Sequence, residues 1–165
     1  MIIKAIHDND KKIVDKIIVL EDQAFGNGGM NEWHLVPFIR HGQVFAAVEG
    51  EEVLGAVQYM RDWQQPERAY LYGVSVSRER RGKGLGTVLL RDSFRELLQS
   101  GITEVELTVD PQNAAAIRVY QEKLGFSIGE LRRNEYGAGE DRLVMRLQLA
   151  SSKWQAIKEK TEKTT

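Results

Sequence analysis

The chain has 165 residues, of which 42% are hydrophobic and 28% charged, so it can bury one sizeable core but is too short for two ordinary domains. Lysine and arginine number 23 against 24 aspartates and glutamates, and the net charge of −1 excludes a global basic field that would attract nucleic acid or an anionic membrane. The sequence has no cysteine, which excludes a disulfide framework, a thiolate metal site and a cysteine nucleophile.

The first part of the sequence predicts a strand, two helices and a hairpin. Residues 1–6 contain three β-branched isoleucines, which favours a short strand, and residues 8–10 are helix N-cap types that precede an apolar stripe at helical spacing. Glycines end that helix, and a second short helix is expected to end at Gly42. Strands 43–48 and 53–60 flank a polar turn that contains a glycine. The apolar stripe consists of Ile13, Ile17, Leu20 and Ala24.

The remaining sequence predicts four more strands and two more helices. The resulting order, β α α β β β α β α β β, has too few βα alternations for a doubly wound sheet and indicates an α+β (mixed α/β) fold. We expect one domain over residues 1–149, followed by a polar, lysine-rich tail over 150–165 that is either a frayed helix or disordered. The strands are expected at 69–77, 104–109, 126–135 and 141–149, and the helices at about 85–100 and 113–123.

A glycine-rich, basic turn follows the strand at 69–77. Gly82, Gly84 and Gly86 allow backbone conformations that bulkier residues avoid, and the turn delivers successive N–H groups into the start of a helix. Unpaired N–H groups and the positive end of the helix dipole favour an anion, so the turn suits a phosphate group. The alternative is a basic surface turn without a ligand. The basic residues are Arg78, Arg80, Arg81 and Lys83.

Two familiar nucleotide-binding motifs do not fit this turn. A P-loop requires Ser or Thr after its lysine, whereas Lys83 is followed by Gly84. The dinucleotide fingerprint G-x-G-x-x-G requires a third glycine where this chain has Thr87, and it usually opens a fold. These mismatches weaken both nucleotide-binding interpretations. A nucleotide-binding protein of another family remains an alternative.

The segment Arg81-Gly82-Lys83-Gly84-Leu85-Gly86 matches the pattern R/Q-x-x-G-x-G/A, and here the sequence resembles the GNAT family of N-acetyltransferases. Val74-Ser75-Val76 resembles the strand segment that pairs with the pantetheine arm in that family. Farther on, Asn113-Ala114-Ala115-Ala116-Ile117-Arg118-Val119-Tyr120 followed by Leu124-Gly125-Phe126 is similar to the family pattern N-x-x-A-x-x-x-Y…L-G-F. Two motifs at the expected distance make the resemblance specific.

The resemblance implies a GNAT-like fold, with a central, mixed, mostly antiparallel twisted sheet of about seven strands flanked by four helices. It also implies acetyl-CoA (coenzyme A) as cofactor, held through the main chain of Val74, Ser75 and Val76. Tyr120 would act as general acid toward the thiolate, or else be a core tyrosine with a satisfied hydroxyl. Asn113 would contact the cofactor, cap its helix, or do both. The implied pyrophosphate loop comprises Arg81, Gly82, Lys83, Gly84, Leu85, Gly86 and Thr87.

The general base is not identified by the resemblance. Many relatives carry Glu where this chain has Tyr70, and a protein N-terminal branch carries Glu where it has Thr108, so neither familiar carboxylate is present. A water chain would suffice, because the base removes a proton from an ammonium that is already in equilibrium with the neutral amine. The side-chain candidates are Tyr70, Tyr72, Glu106, Asp110 and Glu21.

The acceptor pocket implied by the resemblance is lined by residues 25–33 and 134–141. These loops carry several acidic residues, which would suit a cationic amine, although surface loops are commonly acidic. The histidines have no spacing that suggests a metal site, and no metal is predicted. The acidic loop residues are Glu32, Glu135, Glu140 and Asp141, and the histidines are His7, His34 and His41.

The leading hypothesis is therefore an acetyl-CoA-dependent N-acetyltransferase that transfers an acetyl group directly, in a ternary complex, to a primary amine of a small molecule or of a peptide N-terminus. The alternative is an acyl-CoA-binding regulatory or partner-dependent module without catalysis of its own. No nucleic acid and no membrane are expected as partners, a homodimer is compatible with the sequence, and the expected location is cytoplasmic.

Overall fold

The computed structural model describes residues 1–7 and 10–151. In that part of the chain the strands and α-helices follow the order that the sequence predicts. The helices are α1 (Lys11–Phe25), α2 (Glu32–His41), α3 (Leu85–Gln99) and α4 (Ala114–Arg118). The strands are β1 (Ile2–Ala5), β2 (Gln43–Glu49), β3 (Glu52–Arg61), β4 (Arg68–Val76), β5 (Glu104–Val109), β6 (Ser127–Arg132) and β7 (Arg142–Gln148).

The strands form a 7-stranded sheet in the order β1-β2-β3-β4-β5-β7-β6. The sheet is mixed, because β4 pairs with β5 in parallel, whereas the β1–β2, β2–β3, β5–β7 and β6–β7 pairs are antiparallel. This architecture confirms the predicted α+β class with seven strands and four helices. Contacts divide the chain into two compact units, which are described one at a time.

The first unit consists of residues 1–61 and 71–93. Its antiparallel strands β1 to β3 carry helices α1 and α2, which bury apolar side chains against the sheet. Asp10 caps α1 by accepting hydrogen bonds from the N–H groups of Lys12 and Ile13. The apolar core of this unit is formed by Ile6, Val14, Ile17, Leu20, Met30, Leu35, Ile39, Val44, Ala46, Val53 and Ala56.

The second unit consists of residues 62–70 and the chain from residue 94 onward. Strand β5 lies at its centre, with the start of β4 parallel on one side and β7 antiparallel on the other. Val105, Leu107 and Val109 are buried, as their alternation with polar residues predicts. The alternate positions of β5, occupied by Glu104, Glu106 and Thr108, therefore share the opposite face of this strand.

Two local features differ from the sequence predictions. The helix expected over 113–123 is α-helical only over Ala114–Arg118, and Val119–Leu124 forms a π-helical segment. The buried residues of α1 are Val14, Ile17, Leu20 and Glu21, whereas Ile13 and Ala24 of the predicted stripe are half-buried. A π-helical turn is a short i→i+5 segment within a helix, and six residues are too few for the apolar pattern to distinguish it from an α-helix.

Several predictions fall outside what the structure describes. Asp8, Asn9 and residues 152–165 are not among the described residues, so the predicted tail lies almost wholly outside them. The predicted extent of one domain over residues 1–149 stays a prediction. Within residues 1–7 and 10–151, no helix is long and apolar enough to cross a membrane.

Candidate active site

The glycine-rich turn leads into the first residue of α3 and has the backbone form of an anion cradle. Gly82 and Gly84 have φ angles of 72° and 82°, and a Cβ atom at either would meet nothing within 4 Å. These left-handed conformations favour glycine. Within the described part of the chain, no acceptor takes a hydrogen bond from the backbone N–H groups of Gly82, Gly84 and residues 85–87. Successive donors at a helix start can therefore receive an anion such as a phosphate.

Two of the basic side chains in this turn make contacts within the protein. The guanidinium of Arg81 donates to the carbonyl oxygens of Val76 at 3.1 Å and Gln23 at 3.3 Å, and so fastens the turn to the end of β4 and to α1. Arg80 pairs with Glu49 at 2.6 Å. Among the described residues, no ion pair involves Arg78 or Lys83. Two of the four basic residues, Arg80 and Arg81, therefore hold the turn in place.

The segment Val74–Val76 ends strand β4, and its central side chain points into the protein. Ser75 is buried, and its hydroxyl donates to Glu21 Oε1 at 3.0 Å. The same carboxylate accepts from Gln58 Nε2 at 3.1 Å and, through Oε2, from the N–H of Met30 at 3.3 Å. Glu21 is 2% exposed, so these donors satisfy a buried carboxylate. The Ser75 side chain is thus engaged by Glu21, so a contribution of Ser75 to a ligand would come from its main chain.

Tyr120 lies in the π-helical segment that follows α4. Its ring packs edge-on against Phe126, with 5.6 Å between ring centroids, and Phe126 in turn packs on Phe94. Within the described residues no hydrogen bond reaches its hydroxyl, and burial raises the pKa of Tyr120 above its ordinary value. Within the described residues the Tyr120 hydroxyl therefore has no protein partner, and its raised pKa favours the protonated phenol.

Asn113 is the N-cap residue of α4. Its side-chain oxygen accepts a hydrogen bond from the N–H of Ala116 at 3.1 Å. The capping role that the sequence suggests is thus confirmed. The side-chain amide N–H groups remain available for a second contact.

Glu106, one of the candidate bases, is surrounded by positive charge. It is 6% exposed, and Oε2 lies 2.8 Å from Arg146 Nε and 3.5 Å from Arg68 Nη1. Its other oxygen lies 3.4 Å from Arg132 Nη2. Both oxygens therefore take part in a structural ion-pair network, and Glu106 is poorly placed to accept a proton.

Tyr70 and Thr108 contact each other. They occupy the two positions at which GNAT relatives carry a glutamate. Their hydroxyl oxygens are 3.0 Å apart, and the Tyr70 hydroxyl is also 3.3 Å from that of Tyr136. Burial raises the pKa of Tyr70 to about 12, and the bond to Tyr136 and the charge of Glu106 act in the same direction. Because a phenol with this pKa keeps its proton at neutral pH, Tyr70 does not act as a base there.

The other candidates are also engaged or exposed. Tyr72 packs on Phe38 with ring centroids 5.0 Å apart, and Asp110 accepts from the N–H of Gln112 at 2.8 Å. In the loops of the implied acceptor pocket, His34 Nδ1 accepts from the N–H of Asn31, and Asp141 accepts from the N–H of Asn134 at 2.8 Å. Within the described ranges no group of acidic or histidine side chains is arranged to hold a metal ion.

Sequence reasoning assigned no role to Gln58, and it placed Tyr136 only within the loop 134–141 of the implied acceptor pocket. Gln58 is a polar residue in the middle of the apolar strand β3, and this signal could have indicated a buried hydrogen-bonding partner. Tyr136 lies in the loop between β6 and β7, and nothing in its local sequence indicates the contact with Tyr70. That contact depends on pairing between distant strands.

The profile of the acetyltransferase (GNAT) family matches residues 16–126, which include the Val74–Val76 segment, the glycine turn and the helical segment of Tyr120. The chain belongs to this family. Among curated GNAT relatives, it is 36% identical over 87 residues to the [ribosomal protein bS18]-alanine N-acetyltransferase of Escherichia coli K12, covering 51% of this chain and 58% of that protein. It is 31% identical over 121 residues to the N-terminal acetyltransferase complex ARD1 subunit homolog of Dictyostelium discoideum, covering 72% of this chain and 60% of that protein. The chain thus spans about three fifths of the length of these relatives.

A solved structure with the same fold is that of an aminoglycoside 6′-N-acetyltransferase complexed with coenzyme A. The two folds superpose with a TM-score of 0.75 at 18% sequence identity, over 92% of this chain and 98% of that one. At this identity the likeness shows the GNAT fold alone. Acetyl-CoA is the acetyl donor of GNAT acetyltransferases, and the free N–H groups of the glycine turn fit its pyrophosphate.

Proposed function

We propose that this chain is an acetyl-CoA-dependent N-acetyltransferase that acts on a primary amine. The observation that carries the proposal is the cradle formed by Gly82, Gly84 and residues 85–87, whose backbone donors have no acceptor within the described chain. A surface turn without a ligand would not need two left-handed glycines, Gly82 and Gly84, beside unpaired donors at a helix start. Family membership supports the pyrophosphate of coenzyme A as the ligand of this cradle.

The residues that would hold the cofactor act mainly through the main chain. Residues 81–87 would bind the pyrophosphate, with the Arg81 guanidinium keeping the turn in position from behind. The backbone of Val74–Val76 would pair with the pantetheine amides and direct an N–H at the acetyl carbonyl. Asn113 would add a side-chain amide while it caps α4.

When bound, acetyl-CoA supplies an acetyl group as a thioester. Transfer of this group to a neutral amine forms a C–N bond and breaks the C–S bond. The transfer releases one proton from the amine and requires one proton for the thiolate. Tyr120 holds a proton at its hydroxyl, and its burial keeps that proton in place over the neutral pH range. Tyr120 is therefore the proposed general acid. Because the chain has no cysteine, we favour direct transfer in a ternary complex over a covalent acyl-enzyme.

The amine proton is proposed to leave through water. Glu106 and Glu21 have both oxygens occupied by other residues, and Tyr70 keeps its own proton. An amine that is already partly neutral in solution needs only a path for its proton to reach solvent. Because neither Glu106 nor Glu21 has a free oxygen, the second candidate function, an acyl-CoA-binding module without catalysis of its own, is also supported.

The acceptor is proposed to be a small-molecule amine or a peptide N-terminus. The relatives named above include enzymes that act on a ribosomal protein alanine and on an aminoglycoside. A cytoplasmic location is proposed with it, and a homodimer stays an open expectation. No nucleic-acid partner is proposed, because the net charge is −1.

A panel of acceptors tests the function. Amino acids, polyamines, aminoglycosides and peptides with free N-termini are incubated with acetyl-CoA, and the free thiol and the acetylated product are measured. Turnover with at least one amine supports the enzyme. Tight binding of acetyl-CoA with no turnover on any amine supports the binding module instead.

A further inference from the structure

A groove of about 470 Å³ opens between α1, the start of β3 and the residues that follow β4, all within the first unit. Helix α1 contributes one face to it, since its lining residues recur three or four positions apart. The residues after β4 are Ser77 and Glu79, which precede the glycine turn. The groove therefore lies beside the cradle and includes none of residues 81–87. The lining residues of α1 are Lys12, Asp15, Lys16, Val19, Leu20 and Gln23.

A buried hydroxyl without a partner faces this groove. Ser75 points toward α1, because its hydroxyl donates to Glu21. Ser77 lies two residues farther on, directly after the strand, so its side chain faces the same side. Ser77 is 8% exposed, and its hydroxyl has no hydrogen-bond partner among the described residues. Because buried polar groups are ordinarily hydrogen-bonded, this hydroxyl leaves a position open for a polar group of a ligand.

The floor of the groove is apolar. The register between β2 and β3 shifts at Ala47 and Val48, which leaves Leu54 as one residue more than β2 can pair with. Such a bulge turns two consecutive residues to one side, and Val53 and Leu54 both line the groove. Leu20 of α1 also lines the groove and is buried. A methylene chain that lies here is removed from water.

One end of the groove carries an ammonium and a carboxylate that are free of ion pairs. Lys16 donates to the carbonyl oxygen of Glu51, which places the turn between β2 and β3 beside the first half of α1. Glu52 begins β3 directly after that residue, and Lys12 lies one helical turn before Lys16. Within residues 1–7 and 10–151, neither Lys12 nor Glu52 takes part in an ion pair. This end therefore fits the α-carboxylate and the α-ammonium of an amino acid.

The other end carries a carboxylate close in sequence to the buried hydroxyl. The bond between Ser75 and Glu21 places the end of β4 beside the second half of α1, and Glu79 follows Ser77 by two residues. In the part of the chain that the structure describes, Glu79 has no ion pair either. Positions 16 and 23 of α1 are about 10 Å apart along the helix axis, which is on the scale of an extended lysine molecule.

We propose that this groove is a second ligand site, which binds a basic α-amino acid and thereby stabilises the glycine turn for the cofactor. Lys12, Glu52 and Glu79 carry one unpaired positive and two unpaired negative charges, so a ligand with one carboxylate and two cationic groups complements them. The α-carboxylate meets Lys12, the α-ammonium meets Glu52, and the side-chain cation meets Glu79. The methylene chain lies on the apolar floor, and the side-chain cation also donates to the Ser77 hydroxyl.

The groove is linked to the cradle through the chain. Gln23 lines the groove, and its carbonyl oxygen accepts from the Arg81 guanidinium that fastens the turn. The carbonyl oxygen of Ser77 accepts from the N–H of Arg80 at the start of the turn. A ligand that joins α1 to Ser77 and Glu79 therefore holds the turn in place before the cofactor binds, and the affinity for coenzyme A rises. This coupling rests on the proposed function, whereas the ligand site does not.

Calorimetric titration of the full chain with L-lysine, without cofactor, tests the site. We expect saturable binding of one L-lysine per chain, with a Kd of about 1 mM or lower. L-norleucine lacks the side-chain ammonium, and we expect it to bind at least about tenfold more weakly. No saturable binding of L-lysine, or an equal affinity for the two amino acids, would overturn the inference.

Variants of the lining show whether L-lysine lies in this groove. Glu52→Gln and Glu79→Gln each remove one charge, and we expect each to raise the Kd for L-lysine about fivefold. Glu51→Gln is the matched control, since it changes the neighbouring exposed carboxylate, which does not line the groove, and should leave the Kd unchanged. If neither groove variant changes the affinity, L-lysine binds elsewhere and the inference is overturned.

Ser77→Ala separates a contact with the ligand from a role in the fold. Because the hydroxyl has no partner within the described chain, we expect its removal to leave the melting temperature unchanged or to raise it. We expect the Kd for L-lysine to rise about threefold. A lower melting temperature with an unchanged Kd would remove Ser77 from the site.

Titration with coenzyme A at saturating L-lysine tests the coupling, and no transfer occurs because coenzyme A carries no acetyl group. We expect the Kd for coenzyme A to fall about fivefold, and saturating coenzyme A to lower the Kd for L-lysine by the same factor, because coupling is reciprocal. An unchanged Kd for coenzyme A would overturn the coupling. A chain that binds L-lysine but no coenzyme A would overturn the proposed function and support the ligand site alone.

Discussion

The hydroxyl of Ser75 donates a hydrogen bond to the buried carboxylate of Glu21, with 3.0 Å between the two oxygens. This contact joins the proposed cofactor strand to α1, and the same carboxylate holds the N–H of Met30 after the first helix. The residues that flank Ser75 are proposed to bind the cofactor through their backbone. Glu21 therefore holds the Ser75 side chain, and with it this part of β4, in place.

Replacing Glu21 with Ala removes the acceptor of three buried donors. We expect the free energy of unfolding to fall by about 3 kcal/mol, because the donors of Ser75, Gln58 and Met30 lose their partner. Urea unfolding measures the change. Asp22→Ala, at the exposed neighbouring position, is the control and should cost far less. Equal losses for the two variants would show that the buried contacts do not stabilise the fold.

Gly84→Ala tests the anion cradle. Alanine at a φ of 82° is strained by about 1 kcal/mol, and its Cβ projects into the space where the ligand is proposed to lie. We expect the dissociation constant for coenzyme A to rise on the order of tenfold, measured by calorimetry.

Gly50→Ala is the matched control for that experiment. Gly50 has a φ of 59° in the turn between β2 and β3, with nothing within 4 Å of an added Cβ, so it carries the same kind of strain. We expect a similar loss of stability and an unchanged affinity for coenzyme A. A parallel loss of affinity in both variants would mean that general destabilisation, and not the cradle, explains the effect.

Tyr120→Phe tests the general acid. We expect turnover to fall on the order of 10²-fold, and the loss to shrink as pH rises past about 8.5, where a thiolate needs no proton. The melting temperature should stay nearly unchanged, since no described residue bonds to this hydroxyl. Tyr59→Phe is the contrast, because its hydroxyl lies 2.7 Å from Ser93 Oγ: it should lose about 1 kcal/mol of stability at an unchanged rate per folded molecule. An unaltered rate in Tyr120→Phe would remove Tyr120 from the mechanism.

The raised pKa of Tyr70 predicts a loss of stability at alkaline pH. The group has a pKa of about 12 in the folded chain and about 10 when unfolded, so its contribution is complete below pH 10 and declines as pH rises toward 12. We expect the unfolding free energy of wild type to fall more steeply over this interval than that of Tyr70→Phe. Denaturant unfolding at several pH values measures the two slopes. Identical slopes would contradict the assignment.

Much of the fold follows from periodicity alone. Strand β5 occupies Glu104–Val109 as predicted, because apolar and polar residues alternate without interruption. The first helix begins after Asp10, the last of the three predicted cap residues. Periodicity alone does not predict the burial of Glu21. This residue lies four positions after Ile17 and is buried, although a charged side chain is ordinarily expected to be exposed to solvent.

The sequence indicated which residues form the candidate site, but it did not indicate which of them contact each other. The glycine spacing indicated the cradle, whereas the direction of the Arg81 side chain depends on carbonyl groups of β4 and α1. Tyr70 and Thr108 are 38 residues apart in sequence, and their contact follows from the parallel register of β4 and β5. Long-range pairing of this kind is not encoded in local pattern.

The most direct test of the central claim is the stoichiometry of acetyl transfer. Purified chain, acetyl-CoA and a peptide with a free α-amine are mixed, and free thiol and acetylated peptide are quantified over time, with the same peptide blocked at its N-terminus as control. We predict one thiol per acetylated peptide, and with the blocked peptide thiol release no faster than hydrolysis alone. Saturation with acetyl-CoA and no product from this or any other amine of the panel would contradict the account.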